Sequence, residues 1–390
     1  MIRSIRLDRG ALGWATVVVA AYVLGTIVVA QFQPARVNLA MQVAIALAHG
    51  RLNIDLPPGT NDTATVGGLT YQVISPLPIV PYLLFVPFPA LWAVSRLILG
   101  CALGIVAAWL ALPFARRYAG PAPQAYWLAT LGAFGTLLFD LSIQGDFYYL
   151  AQVEAMLFTL VALIEFAGRR RPWLLGLALA LASLARPTLI LAAIPLGLAV
   201  LASKEGRARS FLLFALPLIL GVALTGVYDA LRFGTPWQTG YGISTVGNPV
   251  LAQARSIGLF SLQHVPDNLA RLLARGFDLR ATFPYLVPDP YGDAILLTSP
   301  GLLAAVGAGL RRDGAWALWS AAGLLTAALL LYYGGGGWET YGFRYFLDAV
   351  PFLLALVGLA ARDRLGALEK VLIVLSVGFV GYDLVWIAFR

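Results

Sequence analysis

Apolar runs of roughly 20 residues, the length that carries a helix across the hydrocarbon core of a bilayer, recur along the 390-residue chain and alternate with short stretches where arginines gather. Runs near 11–31, 94–113, 123–139, 150–167, 172–185, 187–202, 210–231, 294–310, 314–332, 345–361 and 367–388 predict an all-α membrane protein. The expected architecture is a polytopic helical bundle of about 11 transmembrane helices, within a range of about 10 to 13. The stretch from Pro76 to Trp92 is equally apolar, but Pro76, Pro78, Pro81, Pro87 and Pro89 fall within it. Proline removes backbone donors and interrupts helices, so this stretch reads as an interfacial or re-entrant piece.

Orientation follows from charge, because cytoplasmic loops collect Arg and Lys. Arg3, Arg6 and Arg9 place the N-terminus inside. With one crossing between Gln31 and Arg116, every later basic cluster (Arg116-Arg117, Arg169 to Arg171, Lys204 to Arg209, Arg311-Arg312, Arg362 and Arg364) falls on that same side. A second crossing there would invert them all. The chain then reads as one transmembrane domain, 1–390, with a first outer loop 32–92 carrying interfacial segments, a large outer loop 232–293, a short outer loop 333–344 and an outer C-terminus.

Composition supports this picture. The chain is 60% hydrophobic and 12% charged, where soluble proteins carry about a quarter charged residues. The net charge of +8 lies in short loops between spans, where insertion and anionic headgroups account for it, so no nucleic-acid partner is expected. Cys101 is the single cysteine, which excludes an internal disulfide and a thiolate metal cluster. The run from Ala11 to Gln31 is longer than a signal-peptide core and reads as a retained first span.

Polar chemistry concentrates in the outer loops. In the first, Val37 to His49 has helical character, Gly50 ends it, and Asp55, a Pro57-Pro58-Gly59 turn and Asp62 lead into TATV-GG-LTYQV, a hairpin around Gly67-Gly68 that carries Tyr71. Two carboxylates therefore stand just above the membrane. The second loop contains VPDNLARLLARG, a helix started by Pro266 with Arg271 and Arg275 one turn apart beside a leucine face. Guanidinium groups grip phosphate oxygens in pairs, although the same pattern serves a helix that touches headgroups. Asp289 and Asp293 in the same loop form no convincing metal motif, and a divalent cation remains possible without a clear set of ligands.

The third loop, GGGGWETYGFRYFLDAVP, is the most specific segment. Its glycines let backbone turn sharply or approach a ligand, and Trp338, Glu339, Tyr341 and Arg344 follow. Arg344 and Asp348, four apart, are expected on one face of the entering helix as an ion pair or a ligand pair. Arg186 and Asp383 mark polar positions at membrane depth, and Asp140, Asp146 and Glu154 flank an FYY run. His49 and His264 stand alone, with no serine or cysteine to activate.

The motifs ALAHGRLNID, ND(x)4GGLTYQVISPLPIVPYL, LRFGTPWQTGY, VPDNLARLL and GFRYFLDAVPFL, in this order across most of the chain, resemble the GT-C superfamily of integral-membrane glycosyltransferases. The likeness is to its mannosyltransferase-like prokaryotic branch. The resemblance implies a prokaryotic plasma membrane protein that takes a sugar from a polyprenyl-phosphate donor and passes it, with inversion, to a glycan, lipid or protein acceptor outside. It also implies an acid of the first outer loop as general base and basic residues on the leaving phosphate. The commonest pattern has its acids directly after the first span, whereas Asp55 and Asp62 lie well beyond it. The expected site is then Asp62 as base with Asp55 as helper, Arg344 with Arg271 or Arg275 on phosphate, and Tyr71, Trp338, Glu339 and Tyr341 lining it. A lipid or solute transporter is the alternative, followed by a non-catalytic partner of an envelope complex. A transporter concentrates polar groups at midplane, and here they crowd at one face.

Overall fold

The structure, a computed structural model, describes residues 9–33, 38–121, 123–202, 207–310, 312, 314–337, 340–362 and 365–389. Helix α1 (Arg9–Phe32) leads to a surface helix α2 (Leu39–Ala48), a hairpin of β1 (Thr63–Val66) and β2 (Leu69–Gln72), and 3-10 turns at Leu77–Phe85 and Pro89–Leu91. The bundle continues with α3 (Ser95–Tyr118), α4 (Gln124–Phe134), α5 (Leu138–Gln144), α6 (Phe147–Ala167), α7 (Pro172–Ala185), α8 (Ala193–Ala202) and α9 (Arg207–Phe233). A long connection holds α10 (Pro249–Ile257), α11 (Val265–Leu273), the two-residue strands β3 (Asp278–Leu279) and β4 (Leu286–Val287), and β5 (Tyr291–Asp293). After α12 (Ile295–Thr298) come α13 (Ala315–Leu331), β6 (Thr340–Gly342), α14 (Val350–Ala361) and α15 (Ala367–Phe389).

Helical segments occur at every predicted crossing, but fewer of them are full-length than the expected count of about 11. Among the described residues α1, α3, α6, α9 and α15 are long and apolar enough to cross a bilayer, and α4 with α5, bent by 43° at a short break, makes a sixth when taken as one span. The shortfall has local causes. Proline forces the residue before it out of the helical region, and both Arg186 before Pro187 (φ −136°, ψ 102°) and Ser299 before Pro300 (φ −144°, ψ 56°) lie outside it. The run 172–202 is thereby split into α7, a 3-10 turn and α8, and 294–310 into α12 and a 3-10 segment Pro300–Ala308.

The main core gathers small and branched apolar side chains of α3, α4, α6, α7, α13 and α14. Membrane helices associate through close packing of small residues, and Gly100 is a case where only hydrogen fits: a Cβ there would lie 2.3 Å from the Ser142 carbonyl oxygen. In contrast α9 packs on α7 and α8 and turns most of its leucines outward.

The connections after α1, α9 and α13 meet at one end of the bundle. In the hairpin Val66 pairs with Leu69 across Gly67 and Gly68, both at positive φ, as a two-residue turn requires. The Asp62 amide donates to Thr245 O at 2.9 Å and Thr245 N to Thr63 O at 2.8 Å, joining the first and second loops. Strands β5 and β6 pair in parallel, joining the second and third. Arg312 and Arg362 lie at the other end, where Arg362 Nε donates to Tyr118 O at 2.7 Å and Arg312 Nη1 to Leu359 O at 2.6 Å.

Candidate functional site

Where the three loops converge they enclose a cavity of about 720 Å³, walled by the start of α6, the break before Pro187, the end of α13 and all three connections. Asp62 and Arg344 both line it, together with Asp146, Arg186, Asp348 and six tyrosines: Tyr148, Tyr149, Tyr241, Tyr332, Tyr333 and Tyr345. Leu325, Ala328 and Leu329 of α13 give it an apolar wall.

Asp62 is held in an uncommon way. Its φ of 60° is in the left-handed region, which a residue with a Cβ adopts at a cost and which recurs at functional positions. Asn61 steadies it on both sides: Asn61 Oδ1 accepts from Gly247 N at 2.6 Å and Asn61 Nδ2 donates to Asp62 Oδ2 at 2.9 Å. Burial raises the Asp62 carboxyl from 3.8 to about 6, with Arg344 opposing the rise and Asp146 adding to it. A carboxylate poised near neutrality is suited to accept a proton.

Arg344 starts a 3-10 segment, Arg344–Asp348, rather than an α-turn. That overturns the expected Arg344–Asp348 pair, because residues four apart in a 3-10 helix point about 120° away from each other. Asp348 instead receives Arg186, with Nη2 to Oδ2 at 3.2 Å, and Thr188 Oγ1 at 2.7 Å. Arg344 keeps its charge without a carboxylate among the described residues: it donates to Tyr345 OH at 3.1 Å, its guanidinium lies 5.0 Å from the Tyr149 ring centroid and 4.8 Å from that of Tyr345, and its buried Nε has no acceptor. The glycine run presses backbone onto this group, for a Cβ on Gly337 would stand 2.8 Å from Arg344 Nε. A buried cation with no ion-pair partner among the described residues is costly.

Other expected residues are elsewhere. Asp55 is on the surface in an i,i+4 pair with Arg51 at 2.8 Å, which holds its carboxyl below the usual range, and it does not border the cavity. Arg271 and Arg275 pair with the buried Asp289, at 3.5 and 2.6 Å, Arg275 staying exposed, and Arg271 also takes Asp267. Neither reaches the cavity. Tyr71 packs edge-on against Phe233 in a small apolar cluster, and the Tyr341 hydroxyl donates to Phe379 O. Trp338 and Glu339 lie outside the described residues. No three His, Cys, Asp or Glu side chains converge among the described residues, so no ligands are assigned to a divalent cation. Both histidines bond to backbone carbonyls of their own segments.

Sequence reading underweighted Arg186 and Asp146 and did not single out Asn61, Thr188 or Tyr241. The Arg186-Pro187 step was the available signal, since a break at membrane depth leaves room for a polar side chain.

The fold built around this cavity is one that solved structures share. Two crystal structures of ArnT from Cupriavidus metallidurans share it. The one bound to undecaprenyl phosphate matches with a TM-score of 0.53 and 13% identity over 97% of this chain and 69% of its own, and the apo structure with a TM-score of 0.50 and 16% identity over 92% and 61%. This chain thus spans roughly two thirds of the length of either neighbour. By sequence, no family model and no curated protein matches it.

Proposed function

We propose that this protein is a GT-C glycosyltransferase that moves a sugar from a polyprenyl-phosphate donor to an acceptor hydroxyl or amide on the cavity side of the membrane, with inversion. One observation carries the reading: a half-buried carboxyl tuned to about 6 and a buried guanidinium that pairs with no carboxylate among the described residues border one cavity, in a fold shared with a protein crystallised with undecaprenyl phosphate. Asp62 takes the acceptor's proton as its oxygen or nitrogen bonds to the anomeric carbon. The bond from that carbon to the phosphate oxygen breaks, and the electron pair leaves with the phosphate. Arg344 neutralises the charge that develops there, as fixed cations do at such centres. The apolar α13 wall suits a prenyl chain, and the tyrosines offer flat faces and hydroxyls to sugar rings.

The test is transfer from a radiolabelled polyprenyl-phosphate sugar by purified protein. Turnover should rise with pH through about 6, as Asp62 loses its proton, and Asp62→Asn should lower it by about a hundredfold or more at pH values above that rise, with the difference shrinking below it. Near-normal turnover in Asp62→Asn would remove this residue from the chemistry.

A further inference from the structure

Helix α15 is long and apolar enough to cross a bilayer, and the hairpin of β3 and β4 lies against its last turns. The Tyr382 hydroxyl is 2.6 Å from Pro284 O and 3.0 Å from Leu286 O, and the Phe283 ring meets Phe389 edge-on at 4.7 Å. Phe389 ends the helix and Tyr382 stands two turns earlier, ~10 Å deeper at a rise of about 1.5 Å per residue. With 23 residues the helix is ~34 Å long, against ~30 Å of hydrocarbon in a bilayer. The hairpin therefore runs beside the part of α15 that passes through the headgroups into the upper acyl layer. Two features fit that depth. Phe283, Tyr285 and Phe389 leave 52%, 57% and 61% of their surface open, and the Phe283 ring touches both of the others, edge-on to Tyr285 at 5.9 Å. They form one aromatic patch, of the kind enriched where membrane meets water. The backbone of the hairpin is also satisfied, as contact with lipid requires: Arg280 N donates to Tyr285 O at 2.8 Å, and the carbonyls of Pro284 and Leu286 share the Tyr382 hydroxyl.

We propose that this hairpin is a membrane anchor, with its aromatic patch set into the lipid leaflet at the cavity end of the bundle. Lipid is the occupant because the patch continues the surface of a spanning helix whose own side chains mostly face outward, at the depth where interfacial segments bury their apolar faces. The anchor bears on the cavity through the chain that follows it. The hairpin runs directly into Asp289 and β5, β5 pairs with β6, and Phe343 N, next to Arg344, donates to Asp293 O at 3.1 Å. A hairpin held in the leaflet thus sets the depth of the connection that carries Arg344.

Phe283→Cys and Tyr285→Cys, each carrying a nitrobenzoxadiazole label on the full-length protein in lipid nanodiscs, test the anchor. Thr65→Cys, exposed on the hairpin of β1 and β2, is the reference, and Cys101 is buried and stays unlabelled. Phosphatidylcholine with a spin label near the top of its acyl chain should quench the labels in the first two variants at least about threefold more than the label in the third. Quenching no stronger than in the reference would leave the hairpin in water and overturn the anchor. Energy transfer between donor- and acceptor-labelled copies reconstituted together in vesicles, without quenching by lipid, would give the patch to a second copy and overturn it as well. If Phe283→Cys does not fold, Tyr285→Cys carries the same test. Failure of both to fold would make the patch internal packing and end the proposal.

Discussion

At the scale of single residues, the two arginines that line the cavity are held in different ways. The expected ion pair of Arg344 with Asp348 would have made Arg344 a scaffold residue whose loss strands a carboxylate. The structure gives Asp348 to Arg186 and leaves Arg344 against two tyrosine rings. Arg344→Ala should therefore weaken binding of the donor far more than it lowers the melting temperature. Arg344→Lys should fall between, since lysine keeps the charge and loses the planar fork. Donor affinity and thermal unfolding measured on the same preparations separate the two effects. A large stability loss with unchanged affinity would make Arg344 a scaffold residue and leave the phosphate without its main ligand. Asp62 was legible in the sequence as a loop acid before a hairpin. Its grip by Asn61 was not, because that contact depends on Gly247, 186 residues away.

Individual elements were read with uneven success, for a physical reason. Local signals such as the Gly67-Gly68 turn and Pro266 in the first turn of α11 act within a few residues and so show in sequence. The pairing of Arg271 and Arg275 with Asp289 was hidden, because it depends on where the segment before β5 places Asp289, and β5 forms by pairing with β6. That strand also carries Asp293, wholly buried, with Oδ2 lacking a hydrogen-bond partner among the described residues. Burial raises its carboxyl from 3.8 to about 8, so the folded protein holds a proton that the unfolded chain releases. Stability from this group is complete below the unfolded value and is lost as pH rises from about 3.8 through about 8. Asp293→Asn imitates the protonated acid and should raise the melting temperature at pH 8 while changing it little at low pH. An equal shift at both ends of the pH range would show that Asp293 carries no such proton.

Across the whole molecule, the alternation of apolar runs and arginine clusters foretold which connections share a side better than it foretold how many helices are full-length. Hydropathy sums over a window and cannot see a break such as Ser299-Pro300, whereas the order of clusters survives such a break as long as the chain still reverses. The structure collects the connections after α1, α9 and α13 around the cavity, and Arg312, Arg362 and the carbonyls of Arg117 and Tyr118 at the opposite end. Since cytoplasmic loops are the basic ones, the cavity should open to the outside. Thr65 and Ser256 are exposed at the cavity end, and Arg117 and Arg169 at the other, while Cys101 is buried and provides a quiet background. Thr65→Cys and Ser256→Cys should react with a membrane-impermeant thiol reagent on intact cells, and Arg117→Cys and Arg169→Cys only after lysis. Labelling of all four before lysis would signal leaky cells, which a cytoplasmic marker protein detects. The reverse pattern in sealed cells would place Asp62 and Arg344 on the cytoplasmic face, and acceptors would then have to be sought among cytoplasmic molecules.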